Sequence, residues 1–179
     1  MNEVIVKDKL FTPFITKETI QEAVRDVAEK INEDYQNKSP LFIGVLNGSF
    51  MFLGDLLKNI EVNSRVSFIK VSSYEGTTST GKLDELIGLV EGIENEDVVL
   101  VEDIIDTGNT IDQLMELLAS KKAKSVKIAT LLYKPEAYTK KHSIDYVGIE
   151  IPNKFVVGYG LDYDGYGRNL NSIYVINSN

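Results

Sequence analysis

The sequence contains no cysteine and a single histidine. The absence of cysteine excludes disulfide bonds, thiolate catalysis and cysteine-ligated metals. One histidine, His142, cannot by itself form a multi-histidine metal site, and its polar surroundings, "YTKKHS", are typical of a solvated loop residue. Any chemistry must therefore come mainly from carboxylates, lysines, hydroxyl groups and the backbone.

Basic residues are also too few for a general nucleic-acid binder. The chain has 19 lysine and arginine residues against 27 aspartate and glutamate residues, which gives a net charge of -8. A basic face is needed to displace counterions from nucleic-acid phosphates, so we expect no nucleic-acid partner. A phosphorylated small molecule is compatible with this charge.

Long hydrophobic runs are missing as well. No apolar stretch approaches the roughly 18 residues that span a membrane, and residues 1–15 lack the pattern of a secretory signal. We therefore expect no membrane partner and a cytoplasmic location. The 179 residues, 43% of them apolar, are enough to close one hydrophobic core, which predicts a single domain over residues 1–179.

Strand and helix patterns alternate through the middle of the chain. After Thr16, a suitable N-cap, apolar residues at helical spacing predict a helix that ends near Tyr35. Further patterns predict strands at 40–46, 65–73, 86–92, 98–101 and 125–133, and helices at 50–60 and 110–120. This order predicts an α/β fold with a mostly parallel central sheet and helices on both faces.

Residues 134–179 follow a different pattern. Short apolar segments at 146–151, 155–160 and 172–176 are interrupted by Pro152 and by glycines. Such pieces predict a small cap or edge subdomain beside the central sheet.

Two loops follow predicted buried strands, which is where open parallel sheets bind ligands. They are "LNGS" at 46–49 and "EDIIDTGNT" at 102–110. In the second loop, Gly108 can adopt backbone angles closed to other residues, and the next helix offers unpaired N–H groups to a phosphate. An alternative is a simple turn with a helix N-cap, in which Asp106 forms an Asx-turn.

Glu102 and Asp103 directly follow the predicted strand at 98–101. Two adjacent carboxylates at such a place are costly unless something pairs with them. Vicinal hydroxyls or a divalent cation would do so, and a ribose phosphate with Mg²⁺ offers both. The triplet 106–108, "DTG", also occurs in aspartic proteases, but these need two such aspartates and an all-β setting, which the alternating pattern opposes.

The segment 98–110, "VVLVEDIIDTGNT", resembles the phosphoribosyl diphosphate signature of type I phosphoribosyltransferases. Asp106 resembles the 6-oxopurine branch of that family, the hypoxanthine-guanine phosphoribosyltransferases. Further segments are similar to the family in the same order, from about residue 40 to 170: the diphosphate loop in "GVLNGSFMFLGDL", the lid in "SSYEGTTSTGK", the purine-reading Lys134, and the base-binding hood in "EIPNKFVVGYGLDYDGYGRNL". The resemblance implies a hood formed by roughly 134–179 plus the N-terminal segment.

The same resemblance implies a reaction and its residues. N9 of hypoxanthine or guanine would displace diphosphate from C1 of phosphoribosyl diphosphate in a homodimer or homotetramer that uses Mg²⁺, with Asp106 as the general base. Matching positions imply the following contacts: ribose hydroxyls and Mg²⁺ at Glu102 and Asp103; the 5′-phosphate at Thr107, Gly108, Asn109 and Thr110; diphosphate at Leu46, Asn47, Gly48 and Arg168; the purine at Lys134, Phe155, Val156 and Asp162, with a second Mg²⁺ at Asp162; and the lid at Ser73 and Tyr74.

Several of these residues have ordinary interpretations when they are taken one at a time. Lys134 would be a solvated lysine, Phe155 a core aromatic, Arg168 a surface charge, Asp162 a turn former and Tyr74 a loop anchor. It is the joint pattern that favours the site.

The chain also departs from the family at two places. Asn47 stands where many relatives carry lysine or arginine, which removes a cation from the diphosphate loop. Gly165 and Gly167 are expected to loosen the hood.

Two other functions fit the same resemblance. A regulator of this fold would sense phosphoribosyl diphosphate without catalysis, although the acidic and compact chain lacks the basic face of such a protein. A transferase for xanthine, adenine or a pyrimidine is the other alternative. Lys134 and Phe155 favour an oxopurine, but the sequence does not rank hypoxanthine, guanine and xanthine.

Overall fold

The computed structural model describes residues 2–72, 84–89 and 92–177. Within these ranges the chain forms two β-sheets and three helices, none of the helices long and apolar enough to cross a bilayer. The elements in chain order are β1 (Val4–Val6), β2 (Lys9–Ile15), α1 (Lys17–Asp34), β3 (Leu41–Leu46), α2 (Phe50–Leu57), β4 (Arg65–Ser72), β5 (Asp84–Ile87), β6 (Asp97–Ile105), α3 (Asn109–Ser120), β7 (Ser125–Tyr133), β8 (Tyr146–Glu150), β9 (Val156–Val157) and β10 (Ile173–Ile176).

The larger sheet has the strand order β5-β4-β3-β6-β7-β8. Its strands β4, β3, β6, β7 and β8 are parallel to one another, whereas β5 pairs with β4 in the antiparallel sense. The prediction of an α/β fold with a mostly parallel sheet is confirmed. Because β3 and β6 are neighbours, the loops that follow them meet at one edge of the sheet.

Helices cover both faces of this sheet, as predicted. The N-cap prediction for α1 is confirmed, because Thr16 Oγ1 accepts a hydrogen bond from the N–H of Thr19 at 3.2 Å. The apolar stripe of α1 packs with α2 in one hydrophobic cluster, and α3 packs in the other. Neighbouring strand residues alternate between the clusters, with Phe42 in the first and Ile43 in the second. The central strands β3 and β6 are therefore buried on both sides.

Three predicted bounds are wrong. The helix predicted at 50–60 ends at Leu57, where the Asn59 side chain donates to the carbonyl of Asp55 at 2.8 Å. The strand predicted at 98–101 continues to 105, because β7 pairs with it along this length. The strand predicted at 86–92 is β5, which ends at 87 because it pairs only with the last part of β4.

The smaller sheet has the order β1-β2-β10-β9, and all its pairs are antiparallel. It joins residues 4–15 to residues 156–176 around a core of Val6, Phe11, Val157 and Tyr174. The segment 146–151, expected in a cap or edge subdomain, supplies β8 at the edge of the larger sheet instead. The boundary of the expected subdomain therefore moves to about residue 152.

Candidate functional site

Two loops meet at the carboxyl-terminal edge of the larger sheet. The loop after β3 leads into α2 through residues 46–49, and the loop after β6 leads into α3 through residues 106–108. The peptide between Leu46 and Asn47 is cis. Open parallel sheets bind ligands at this edge, so the position of both loops agrees with the sequence prediction.

Glu102 and Asp103 lie within β6, just past Val101, the last residue of β6 that pairs with β3. Burial of Glu102, together with the charge of Asp103, raises the pKa of Glu102 well above its usual range. Burial also raises the pKa of Asp103 to about 6, although the N–H of Ile104 and the charge of Arg168 act in the opposite direction. Within the described ranges, neither carboxyl group forms a salt bridge, and Arg168 acts on Asp103 without direct pairing.

This carboxylate pair fits a hard divalent cation. Both side chains line a cavity of about 190 Å³, together with Leu46, Gly48 and Thr110. Mg²⁺ is usually held by one or two carboxylates plus waters and substrate phosphates. Since the described part of the chain offers no group of three metal-ligating side chains, water and substrate would complete the ligand shell.

Gly48 packs directly against Asp103. A Cβ atom added at Gly48 would lie 1.7 Å from Oδ2 of Asp103. On the other side, a Cβ atom at Gly160 would lie 2.1 Å from the carbonyl oxygen of Gly48. The loop after β3 is therefore packed between β6 and the loop that follows β9, and a side chain at position 48 has no room.

Residues 107–110, which we call the phosphate loop, lead into α3 and include its first two residues. The N-cap residue is Gly108, whose φ of +83° is in the region that favours glycine, and no side-chain hydrogen bond caps the helix. A cavity of about 100 Å³ is lined by this loop together with Glu102 and Asp106. Uncapped N–H groups and the positive end of the helix dipole at a cavity favour an anion. An ordinary side-chain N-cap is absent at this helix.

Lys134 and Asp106 form an ion pair beside the phosphate loop. Lys134 Nζ donates to Asp106 Oδ2 at 2.6 Å and to Asn153 Oδ1 at 3.4 Å. Lys134 follows the end of β7, and its N–H donates to the carbonyl of Ile105 at 3.0 Å. Lys134 is only 6% exposed, so its interpretation as a solvated lysine is wrong. Asp106 is 45% exposed and thus open to a ligand.

Phe155 lies at the surface, where the residue is 47% exposed. Its ring centroid lies 6.4 Å from that of Phe11 and 6.0 Å from that of Tyr163, which meets it edge-on. The interpretation of Phe155 as a core aromatic is wrong, and the exposed ring can stack on a flat ligand. Val156 is buried in β9, where it pairs with Val175.

Arg168 and Asp162 form a second ion pair. Arg168 Nη2 lies 2.7 Å from Asp162 Oδ1, and Nη1 donates to the carbonyl of Gly160 at 2.7 Å. Asp162 Oδ2 also accepts from the N–H of Gly165 at 2.6 Å, so Asp162 is a turn former and an ion-pair partner at once. Arg168 is not a lone surface charge, because the electrostatic effect of its guanidinium extends to Asp103.

The expectation that Gly165 and Gly167 loosen the hood stays a prediction. Gly165 has a φ of +84° and Gly167 a φ of +93°, both in the region where other residues are strained. Tyr163 and Tyr166 of the same segment pair in an antiparallel bridge. The two glycines therefore allow a defined turn that holds Asp162 and Arg168 in place.

The sequence did not reveal every residue near the site. Asn153 contacts Lys134, and its only signal was its position two residues before Phe155. His142, expected to be solvated, has its Nε2 atom 3.2 Å from Asp112 Oδ1 in the first turn of α3. Ser73 and Tyr74, the expected lid residues, lie outside the described residues.

A larger cavity lies away from these side chains. Its volume is about 740 Å³, and Asn32, Gln36, Lys38 and Asn63 are among the residues that line it. These residues precede β3 and β4, at the amino-terminal edge of the sheet. Because none of the predicted site residues lines this cavity, the smaller cavities around Glu102 form the candidate site.

Comparisons with known proteins agree on one protein family. A profile of the phosphoribosyl transferase domain matches residues 16–164. Over 157 residues the chain is 44% identical to the hypoxanthine-guanine phosphoribosyltransferase of Staphylococcus aureus, covering 87% of this chain and 88% of that protein. It is 43% identical over 157 residues to the bifunctional protein TilS/HprT of Listeria monocytogenes, but spans only 24% of that protein. The crystal structure of a hypoxanthine phosphoribosyltransferase from Staphylococcus aureus is similar with a TM-score of 0.88 and 42% identity, covering 94% of each chain.

Proposed function

The chain belongs to the phosphoribosyl transferase domain family, and from that premise we propose that it is a purine salvage enzyme that transfers the 5-phosphoribosyl group of phosphoribosyl diphosphate to hypoxanthine and guanine. The observation that carries this proposal is the contact between Lys134 and Asp106 beside the phosphate loop. It brings a buried cation that can read a 6-oxo group next to a carboxylate that can take a proton. The products would be IMP, GMP and diphosphate.

The proposed reaction is a displacement at C1 of the ribose. A bond forms between N9 of the purine and C1, the bond from C1 to the diphosphate oxygen breaks, and the purine proton passes to Asp106. The half-exposed Asp106 can meet the purine, and its contact with Lys134 keeps the carboxylate oriented. General acid–base help of this kind contributes about 10²–10⁴-fold to a rate.

Glu102 and Asp103 would bind the ribose hydroxyls, which can donate to both carboxylates. Departure of diphosphate leaves positive charge on the ribose, and carboxylates close by stabilise that charge. The same two side chains would hold Mg²⁺, which supplies positive charge to the diphosphate oxygens when it is bound. The contacts favour this pair over Asp162 as metal ligands, because Asp162 already has a cationic partner in Arg168, whereas Glu102 and Asp103 form no salt bridge within the described ranges.

Backbone groups would bind most of the phosphate oxygens. The uncapped start of α3 suits the 5′-phosphate, held by Thr107, Gly108, Asn109 and Thr110. Diphosphate would bind at the loop after β3, formed by Leu46, Asn47 and Gly48. Since Asn47 carries no charge, Mg²⁺ and Arg168 would supply the positive charge that balances the diphosphate.

The small sheet and its loops would form the hood over the base. Phe155 offers an exposed ring for stacking, worth about 1–3 kcal/mol per base in nucleic-acid binders. Val156 would meet the base edge through its backbone, and Asp162 would help to hold the neighbouring turn. Lys134 would donate to the 6-oxo group, whereas the amino group of adenine offers this buried cation no acceptor.

We further propose that the enzyme works in the cytoplasm as a homodimer or homotetramer. A sugar carrying three phosphate groups does not cross a bilayer unaided, so the enzyme must work where that substrate is made. Phe50, Val66 and Phe68 are 45%, 43% and 38% exposed on α2 and β4, and a second copy of the chain would cover them. Light scattering on the wild type and on Phe68→Glu would test this assembly, with a smaller mass expected for the variant.

The experiment that tests the function is a transfer assay with the pure protein. Phosphoribosyl diphosphate, Mg²⁺ and one of hypoxanthine, guanine, xanthine or adenine are mixed with it, and nucleotide formation is followed. We expect nucleotide from hypoxanthine and guanine, little from adenine, and loss of activity when a chelator removes the metal. Absence of nucleotide from every base would contradict the proposal and favour a sensor of phosphoribosyl diphosphate.

A further inference from the structure

Residues 138–142, which we call the support segment, pack directly against the phosphate loop. A Cβ atom added at Gly108 would lie 2.4 Å from Cε2 of Tyr138 and 2.8 Å from Cγ of Lys140. The backbone of Gly108 is therefore in contact with both side chains. The cavity at the phosphate loop is lined by Gly108 but not by Tyr138 or Lys140, so the support segment contacts the loop away from the cavity.

Thr139 sets the orientation of one peptide group in the loop. Its N–H and its hydroxyl each lie 3.4 Å from the carbonyl oxygen of Thr107. In a trans peptide the C=O and the following N–H point in opposite directions. The N–H of Gly108 is therefore turned away from Thr139, and Gly108 is among the residues that line the cavity. An N–H directed in this way can donate to an anion in the cavity.

The support segment is itself well anchored. The Tyr138 hydroxyl donates to the carbonyl of His142 at 2.6 Å, and the Tyr138 ring meets Tyr133 edge-on with centroids 5.6 Å apart. Lys140 Nζ and His142 Nε2 lie 3.4 Å and 3.2 Å from the carboxylate of Asp112. Asp112 belongs to the first turn of α3, so the segment is attached to the helix as well as to the loop.

We propose that Tyr138 and Thr139 are positioning residues that hold the phosphate loop in its anion-binding shape before substrate arrives. Neither side chain lines the cavity, so their effect passes through Gly108 and Thr107. A loop that is already ordered loses less conformational entropy on binding, which favours affinity for the phosphorylated substrate. This inference rests on the proposed function, because it takes the ligand of the loop to be the 5′-phosphate of a ribose.

The first test compares how a substitution at Tyr138 changes the KM values for the two substrates. Tyr138→Ala removes the ring from Gly108, and we expect the KM for phosphoribosyl diphosphate to rise about tenfold or more while the KM for hypoxanthine changes less than about twofold. Tyr138→Phe keeps the ring and loses only the hydrogen bond to His142, so it should restore most of the affinity. If Tyr138 had a purely structural role, both variants would have a lower melting temperature and a smaller active fraction. The KM values for the two substrates would then not change by different factors.

The second test uses a matched pair of lysines and a substrate fragment. Lys140 contacts Gly108 and Asp112, whereas Lys141 beside it is exposed. Calorimetry with ribose 5-phosphate should show weaker binding for Tyr138→Ala and for Lys140→Ala, and wild-type binding for Lys141→Ala. Wild-type affinity of Tyr138→Ala for ribose 5-phosphate would overturn the inference.

The two proposals fail in different ways. Nucleotide formation by the wild type tests the proposed function alone. An active wild type together with a Tyr138→Ala variant of unchanged KM for phosphoribosyl diphosphate would overturn the positioning role and leave the function intact. Equal increases in the KM values for both substrates would also overturn it, because the loop is assigned to only one of them.

Discussion

Lys134 Nζ lies 2.6 Å from Asp106 Oδ2, in a contact that joins the end of β7 to the loop after β6. β6 and β7 are adjacent and parallel, so their ends place these two side chains together before any substrate is present. In the proposed function, one of the two reads the 6-oxo group and the other accepts the purine proton. When the purine binds, the ammonium group of Lys134 therefore has to be shared between Asp106 and the purine.

Asp106→Asn separates the proton-accepting role of Asp106 from its contact with Lys134. The amide oxygen of asparagine can still accept from the ammonium group, but it cannot take up the purine proton. We expect kcat to fall by about 10²-fold or more, with the KM for phosphoribosyl diphosphate changed only slightly. Steady-state kinetics would show this, and Asp26→Asn on the exposed face of α1 is the control. A wild-type kcat in Asp106→Asn would remove Asp106 from the role of base.

Lys134→Met tests the choice of base. Methionine keeps an apolar stem in the buried position but removes the donor, and the half-exposed Asp106 can then be solvated. A hydrogen bond to a charged group is worth about 1.5–3 kcal/mol, so the KM for hypoxanthine should rise about 10- to 100-fold. The preference for hypoxanthine over adenine should narrow at the same time. Lys141→Met serves as the control, and an unchanged preference would argue against base reading by Lys134.

Gly48→Ala tests the close packing between the loop after β3 and β6. The new methyl group would lie 1.7 Å from Asp103 Oδ2, so the carboxylate or the loop has to move. Displacement of reacting groups by about 1 Å can cost about 10²-fold in rate, and we expect a fall of that order in kcat/KM for phosphoribosyl diphosphate.

Gly92→Ala is the matched control for this substitution. Among the described residues, a Cβ atom at Gly92 meets nothing within 4 Å. Kinetic constants of this variant should equal those of the wild type. If Gly48→Ala were equally harmless, the contact with Asp103 would have no bearing on activity.

Local patterns explain why much of the fold could be predicted. The stripe of α1 and the Thr16 cap depend on neighbours within a few residues, and both are confirmed. The small sheet depends on the pairing of β2 with β10, which lie at opposite ends of the chain. A pairing between distant segments leaves no repeating pattern of apolar residues within either segment. The strands of the small sheet could therefore not be predicted in detail from the sequence.

The candidate site was predictable to the extent that its residues cluster along the chain. Glu102, Asp103 and Asp106 stand close together in sequence, and the prediction of a site at the end of that strand depended on this spacing. Lys134 and Phe155, taken singly, were assigned the wrong exposure, because burial of a lysine depends on partners such as Asp106 and Asn153 that the fold brings to it. Tyr138 had no signal at all, since its contact with Gly108 is purely tertiary.

Tyr159 and Asp55 link the loop after β9 to α2, and this link should make stability depend on pH. The Tyr159 hydroxyl donates to Asp55 Oδ2 at 2.7 Å. Burial acts to raise the pKa of Asp55, but hydrogen bonds from Lys58 and Tyr159 outweigh it and leave that pKa lowered. Burial and the bond to Asp55 raise the pKa of Tyr159.

The direction of the pH effect follows from these two shifts. A carboxyl group with a lowered pKa stabilises the fold above its ordinary pKa of about 4, and this contribution disappears as the pH falls through the lowered value. A tyrosine with a raised pKa contributes below its ordinary value of about 10 and loses that contribution at higher pH. The bond should therefore stabilise the protein between about pH 4 and pH 10.

Tyr159→Phe removes the bond while it keeps the buried ring. We expect the variant to lose about 1–3 kcal/mol of unfolding free energy at pH 7, because a buried bond to a charged acceptor is lost. Denaturant unfolding of wild type and variant at pH 7 and at pH 3 would show the difference shrinking at the lower pH. Asp55→Asn should flatten the same pH dependence, since asparagine does not ionise. A difference between wild type and Tyr159→Phe that stayed constant from pH 7 to pH 3 would mean that the charge of Asp55 does not strengthen the bond.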